Sequence, residues 1–104
     1  MIGLRCLALA AILAFGGAAQ AEEIVIKIEN FTFHPAEITI KPGTTVTWQN
    51  GDDIPHSIVE DNAKFRSKAL DTGEMFSMTF ANVAVIGYFC GLHPHMKGKI
   101  VVKP

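Results

Sequence analysis

The strongest constraint on the fold of this chain is an alternation of apolar and polar residues with a period of two. Ile24, Ile26 and Ile28 begin it, and comparable short runs follow at 38–40, 46–49, 58–59, 76–80, 86–90 and 100–102. Such alternation is typical of strands with one buried face. The irregular segment 61–73 leaves room for a short helical turn around 65–70. The pattern predicts an all-β protein of roughly seven or eight short strands, either a β-sandwich or a small barrel.

The first 21 residues have the layout of a cleaved secretory signal. An apolar run follows Arg5 and ends in the small-residue motif Ala19-Gln20-Ala21. The run is shorter than the roughly 20 residues that cross a bilayer, which argues against an uncleaved anchor. We expect residues 1–21 to be a removed signal peptide. Residues 22–104 are then expected to form one exported domain without membrane insertion.

The charge balance narrows the choice of partners. The chain has 9 Lys and Arg residues against 10 Asp and Glu residues, with neither a basic stripe nor a charged tail. Nucleic-acid-binding domains need such a basic surface, so no nucleic acid partner is predicted.

The stretch YFCGLHPHMKG at 88–98 places several metal-binding side chains close together. Cys90, His93 and Met96 have the spacing C-x2-H-x2-M, and the glycine and proline between them can bend the chain sharply. A fourth donor must come from elsewhere. His56 is the candidate, because it ends a loop where a strand should begin.

A thiolate, two imidazoles and a thioether are the donors of a blue-copper centre, whereas structural zinc rarely uses methionine. Only one cysteine lies outside the predicted signal, and its free thiol would be prone to oxidation in an oxidising compartment. Binding to copper would protect it. His34 and His95 are interpreted as surface residues. We predict one copper ion as cofactor, bound by His56, Cys90, His93 and Met96.

Two other functions stay open on these residues alone. Cys90 and His93 could form a thiolate–imidazolium nucleophile, although no third group that would orient the histidine is evident. The chain could also bind and deliver copper without a dedicated redox partner. Proteins of that kind more naturally carry exposed Met- or His-rich tracts, and none occurs here.

The segment YFCGLHPHMKGKIVV at 88–102 resembles the copper-binding loop of the cupredoxins, the type I blue copper proteins. Its C-x2-H-x2-M spacing is similar to the short-loop form found in amicyanin and its relatives. Upstream, FHPAEITIKPGTTVTWQNGDDIPHSI at 33–58 is similar to the family pattern F-x-P…G-x-x-V-x-W-x-N…P-H. The resemblance covers nearly all of residues 22–104.

The resemblance implies a Greek-key β-sandwich with copper near one end. His56, Cys90 and His93 would be the strong ligands, and Met96 the axial one. It also implies a periplasmic one-electron carrier that cycles between Cu(I) and Cu(II) and is not an enzyme.

A carrier of this kind needs a place where electrons enter and leave. The outer ring edge of His93 is the expected port, and we expect a monomer whose transient redox protein partners dock near it. Lys97 and Lys99 could steer the encounter. The expected docking surface is an apolar patch formed by Ile54, Pro55, Met75, Leu92 and Pro94.

The chain departs from the family pattern at two positions. Relatives commonly have Asn after the first histidine and Ser or Thr after the cysteine, and these two side chains tie the ligand loops together. Ser57 and Gly91 stand there in this sequence. Gly91 has no side chain, so this tie between side chains cannot form.

Overall fold

The computed structural model describes residues 22–104, which form eight β-strands and no helix. The strands are β1 (Glu23–Glu29), β2 (Thr32–His34), β3 (Glu37–Ile40), β4 (Thr44–Asn50), β5 (Val59–Glu60), β6 (Met75–Phe80), β7 (Ala84–Cys90) and β8 (His93–Val102). The predicted signal peptide at 1–21 lies outside the described residues. Within 22–104, no helix exists that could cross a membrane.

The strands form two four-stranded sheets. One sheet has the order β2-β1-β4-β6, and the other has the order β3-β8-β7-β5. β1 runs parallel to β4, and β3 runs parallel to β8, whereas the other neighbours are antiparallel. Since the chain crosses repeatedly from one sheet to the other, the molecule is a Greek-key sandwich. The all-β sandwich prediction is confirmed, with eight strands.

The core lies between the two sheets and is built on the alternation seen in the sequence. Along β4, every second residue from Thr44 to Asn50 is buried. Trp48 of this strand meets Tyr88 of the opposite sheet edge to face, with ring centroids 5.3 Å apart. Phe33 of β2 contacts the same tyrosine at 4.9 Å. Edge-to-face aromatic pairs are favourable, so Tyr88 joins the two sheets at the centre of the sandwich.

Residues 65–70, between β5 and β6, contain no helical turn, so the expectation of one there is wrong. Their backbone pairs with residues 56–60 instead of with itself. Leu70 N–H donates to the His56 carbonyl at 2.7 Å, and Ser67 N–H donates to the Ile58 carbonyl at 2.8 Å. These bonds satisfy backbone groups of a short edge strand, which a local helical turn would have left unpaired.

Gly98 is required by the position of Tyr88. The two residues face each other across β7 and β8, and a Cβ on Gly98 would overlap the Tyr88 ring. Because that ring is held on both sides, we expect Gly98→Ala to lower the free energy of unfolding by about 2–3 kcal/mol, the cost of overpacking a core. Urea unfolding of the metal-free protein measures the loss.

Gly87→Ala is the matched control in the same strand pair. A Cβ at Gly87 meets the carboxylate of Asp61, an exposed side chain that can rotate away. We expect this variant to lose less than about 1 kcal/mol. Equal losses in the two variants would show that the Tyr88 ring is not the obstacle.

Tyr88 is the only tyrosine of the chain, so its ionisation can be followed alone. Burial raises the pKa of Tyr88 to about 12, partly opposed by the adjacent Trp48 indole. An unfolded tyrosine ionises near pH ~10, so the unfolded state loses its proton first. The contribution of Tyr88 to the free energy of unfolding should therefore be constant below pH about 10 and fall between about 10 and about 12. Alkaline titration of tyrosinate absorbance, with and without denaturant, tests this; coincident titrations would contradict it.

Candidate metal centre

Three of the four predicted metal ligands come together in the structure from two distant segments. Cys90 ends β7 and His93 begins β8, and the two residues pair across the tight turn between them. His56 follows the loop at 51–55 and is fixed by an antiparallel bridge to Leu70. Most of the stretch that the sequence indicated as a loop thus belongs to a hairpin, with an irregularity between Phe89 and Cys90.

The three side chains direct one donor atom each to a common point. The Cys90 Sγ lies 3.6 Å from Nδ1 of His56 and 3.6 Å from Nδ1 of His93. All three donor atoms lie within 4.8 Å of one another. Two donors at ~2.0 and ~2.3 Å from one ion, separated by about 120°, would be about 3.7 Å apart. The residues therefore fit a trigonally bound metal ion.

Burial differs among the predicted ligands. His56 and Cys90 are inaccessible to solvent, and Met96, on β8 after His93, is 4% exposed and belongs to the core cluster. His93 is only half-buried. The centre is therefore dry on its inner side, and His93 is the predicted ligand that reaches the surface.

Asp52 is a residue of the site that the sequence analysis missed. Its Oδ2 lies 2.8 Å from Nε2 of His56. An ionised carboxylate can only accept, so Nε2 of His56 carries the proton and its Nδ1 keeps a free lone pair facing Cys90. A carboxylate partner of this kind sets the tautomer and the ring orientation that a metal ligand needs.

The same carboxylate also holds the turn between β1 and β2. Asn30 N–H donates to Oδ1 of Asp52 at 2.6 Å, and Phe31 N–H donates to Oδ2 at 2.9 Å. Burial acts to raise the pKa of Asp52, but the hydrogen bonds from Phe31, Asn30 and His56 outweigh it and hold the pKa below its usual value. Asp52 therefore remains a charged acceptor at neutral pH.

The two ligand segments are joined by Ser57 and Gly91, although not by two side chains. Gly91 N–H donates to the Ser57 Oγ at 3.0 Å, and Ser57 N–H donates to the Cys90 Sγ at 3.4 Å. A Cβ on Gly91 would lie 2.8 Å from the Ser57 Oγ. The side-chain tie is absent, as the sequence indicated, but a serine side chain and a glycine N–H provide another.

Most of the apolar residues that the sequence proposed for docking are exposed. Leu92 is 50% exposed, Met75, Pro55 and Pro94 are also exposed, and Ile54 is half-buried. Phe31, which the sequence analysis missed, is 44% exposed at the same end of the molecule.

The remaining polar residues singled out in the sequence lie on the surface. His95 is exposed, and so is His34, whose Nε2 lies 3.1 Å from the Glu29 carbonyl oxygen. Lys97 and Lys99 are also exposed, the latter with its Nζ 3.9 Å from a Glu37 carboxylate oxygen.

The tie between Ser57 and Gly91 can be tested by a double-mutant cycle on the metal-free protein. We expect Gly91→Ala to cost about 1–2 kcal/mol of unfolding free energy, because the new methyl displaces the Ser57 hydroxyl and breaks its hydrogen bond. Ser57→Ala removes the obstacle, so the double variant should be more stable than the sum of the two losses predicts, by about 1 kcal/mol. Strictly additive losses would show that the two positions do not interact.

Comparison with known proteins gives the family. A model of the copper binding proteins of the plastocyanin/azurin family matches residues 20–103. Amicyanin from Paracoccus versutus is 36% identical over 89 residues, which cover 80% of this chain and 67% of the relative. Plastocyanin from Scenedesmus fuscus is 39% identical over 84 residues, which cover 68% of this chain and 86% of the relative.

Solved structures agree with these relatives. An oxidized amicyanin variant superposes with a TM-score of 0.73 at 29% identity, over 77% of this chain and 81% of the other. The fold is therefore that of the matched family. The chain belongs to the plastocyanin/azurin family of copper-binding proteins and is a type I copper electron carrier, not an enzyme.

Proposed function

We propose that the chain is a periplasmic one-electron carrier whose copper ion is bound by His56, Cys90, His93 and Met96. The observation that carries the ligand assignment is the convergence of one sulfur and two Nδ1 atoms, each nitrogen 3.6 Å from the Cys90 Sγ. Met96 would supply the thioether that completes the donor set of a blue-copper centre. When bound, copper supplies the Cu(I)/Cu(II) couple.

The protein's part in electron transfer is to keep one arrangement of donors for both oxidation states. Asp52 orients the His56 ring, and Ser57 N–H donates to the Cys90 sulfur. A hydrogen bond to the sulfur and the apolar surroundings of Cys90 tune the potential of such a centre. Because these contacts hold the donors from outside the metal position, the donors need little rearrangement when the charge at the site changes.

His93 provides the route between the buried centre and a partner. It is the one proposed ligand that is not buried, and its neighbours in sequence, Leu92 and Pro94, are exposed apolar residues. A small apolar surface suits brief encounters between proteins, which allow rapid release after transfer. We infer that a monomer docks redox protein partners over His93, on the patch of Ile54, Pro55, Met75, Leu92 and Pro94, with Lys97 and Lys99 at its margin.

The same burial argues against a role in copper delivery. His56, Cys90 and Met96 lie inside the sandwich, so release of the ion would have to disrupt contacts of the core. Export of the mature domain rests on the predicted signal at 1–21.

The visible spectrum of the copper-loaded protein tests this function. We expect an intense band from charge transfer between the Cys90 thiolate and Cu(II), which a reductant bleaches and an oxidant restores over repeated cycles. Cys90→Ala should abolish the band, because no other thiolate is present in residues 22–104. His34→Gln, at an exposed histidine outside the cluster, should leave it intact.

Two results would overturn the proposal. One is a Cu(II)-loaded protein without the intense band, and the other is a band that survives in Cys90→Ala.

A further inference from the structure

Phe31 is an exposed aromatic residue that touches both imidazoles of the proposed copper site. Its ring centroid lies 5.4 Å from that of His56 and 5.1 Å from that of His93, with interplanar angles of 88° and 80°. The two histidine rings lie 5.1 Å from each other. The three rings therefore form a cluster of edge-to-face contacts, the arrangement that aromatic rings prefer.

The backbone that carries Phe31 needs outside support. Asn30 and Phe31 both have φ of 57°, in the left-handed region. Asn tolerates this conformation, but for a bulky residue such as Phe it is rare and unfavourable. The support comes from Asp52, whose carboxylate accepts both N–H groups of this turn. One side chain thus places the Phe31 ring and orients His56.

The two histidines are held in different ways. His56 has a hydrogen bond to Asp52 at its outer nitrogen, in addition to its contact with Cys90. Within residues 22–104, the hydrogen-bonding contact found for the His93 ring is the one to Cys90, through Nδ1. The orientation of the His93 ring therefore depends on packing, and Phe31 and His56 are the rings that lie nearest to it.

We propose that Phe31 is a positioning residue of the copper site, held in place by Asp52, and that its ring keeps His93 in the orientation for metal binding. The inference rests on the ligand assignment proposed above. Phe31 orients the His93 ring by packing, as Asp52 orients the His56 ring by hydrogen bonding. Loss of the ring leaves His93 free to turn towards solvent, and copper then leaves the site more easily.

The rate of copper loss to a strong chelator measures this role. Loss of an outer-shell partner typically weakens metal binding 10–100-fold, and we expect Phe31→Ala to speed copper loss by about tenfold. The electron paramagnetic resonance and visible spectra of the Cu(II) form should shift as well, because the His93 geometry changes. Phe31→Tyr keeps the ring and should restore both readouts.

Val85→Ala is the matched control. Val85 is 69% exposed and lies near the start of β7, at the opposite end of the strand from Cys90, so this variant removes exposed apolar surface but no aromatic ring and no part of the site. We expect its rate of copper loss to stay within about twofold of the original protein. If Phe31→Ala released copper at the rate of Val85→Ala, or with unchanged spectra, the proposal would be wrong.

Asp52→Ala supplies an independent test, because Asp52 acts on His93 through Phe31. Once the turn is released, further removal of the ring should matter little, so the double variant should lose copper no more than about twofold faster than Asp52→Ala alone. Independent, multiplying effects would contradict the proposed route. Each comparison starts from a protein with the intense visible band, so failure of the copper proposal itself would be seen separately, as absence of that band in the unmodified chain.

Discussion

The copper site depends on a junction between two chain segments that are 34 residues apart. One segment carries His56 and leaves the first sheet, and the other is the hairpin that carries Cys90 and His93. Hydrogen bonds between Ser57, Cys90 and Gly91 join them directly. Without this junction, the donors would belong to two loops, each free to move against the other. Copper binding would then have to supply the ordering of both segments, at the cost of affinity.

The core of the sandwich supports the junction between the two ligand segments. Tyr88, two residues before Cys90, packs between Trp48 and Phe33 of the opposite sheet, and β8 returns beside it with a glycine at the point of contact. This packing fixes the position and direction of β7 relative to the opposite sheet, at the point where the strand reaches the copper site. The ligand hairpin is thus an extension of a strand pair that is packed into the core, which gives a rigid element close to the surface.

The sequence predicted those parts of the molecule that depend on local pattern. Alternation gave the strands, and the C-x2-H-x2-M spacing gave three candidate ligands because these donors lie on one hairpin. Asp52 and Phe31 were missed because their roles depend on contacts with residues distant in the chain. Nothing in the sequence near Phe31 indicates that its turn meets His56 and His93, since the contact exists only once β1 and β4 lie side by side. The early start of β8 was missed for a related reason: the pairing of His93 with Cys90 outweighs the effect of Gly91 and Pro94, which suggested a loop.

The two histidines have different tasks: His56 holds the metal from the buried side of the site, and His93 connects the site to the surface. His56 is buried and is braced by a charged hydrogen bond, which is strong because the carboxylate is held by other donors and partly shielded from water. His93 must reach the surface if electrons are to pass to a partner, and a polar brace at that position would compete with water and be weak. Packing against an aromatic ring is not weakened by water in this way. It also leaves the outer edge of the His93 imidazole uncovered. An exposed ligand is therefore better held by a ring than by a hydrogen bond, and the Asp52 carboxylate allows one short turn to bring that ring to the site.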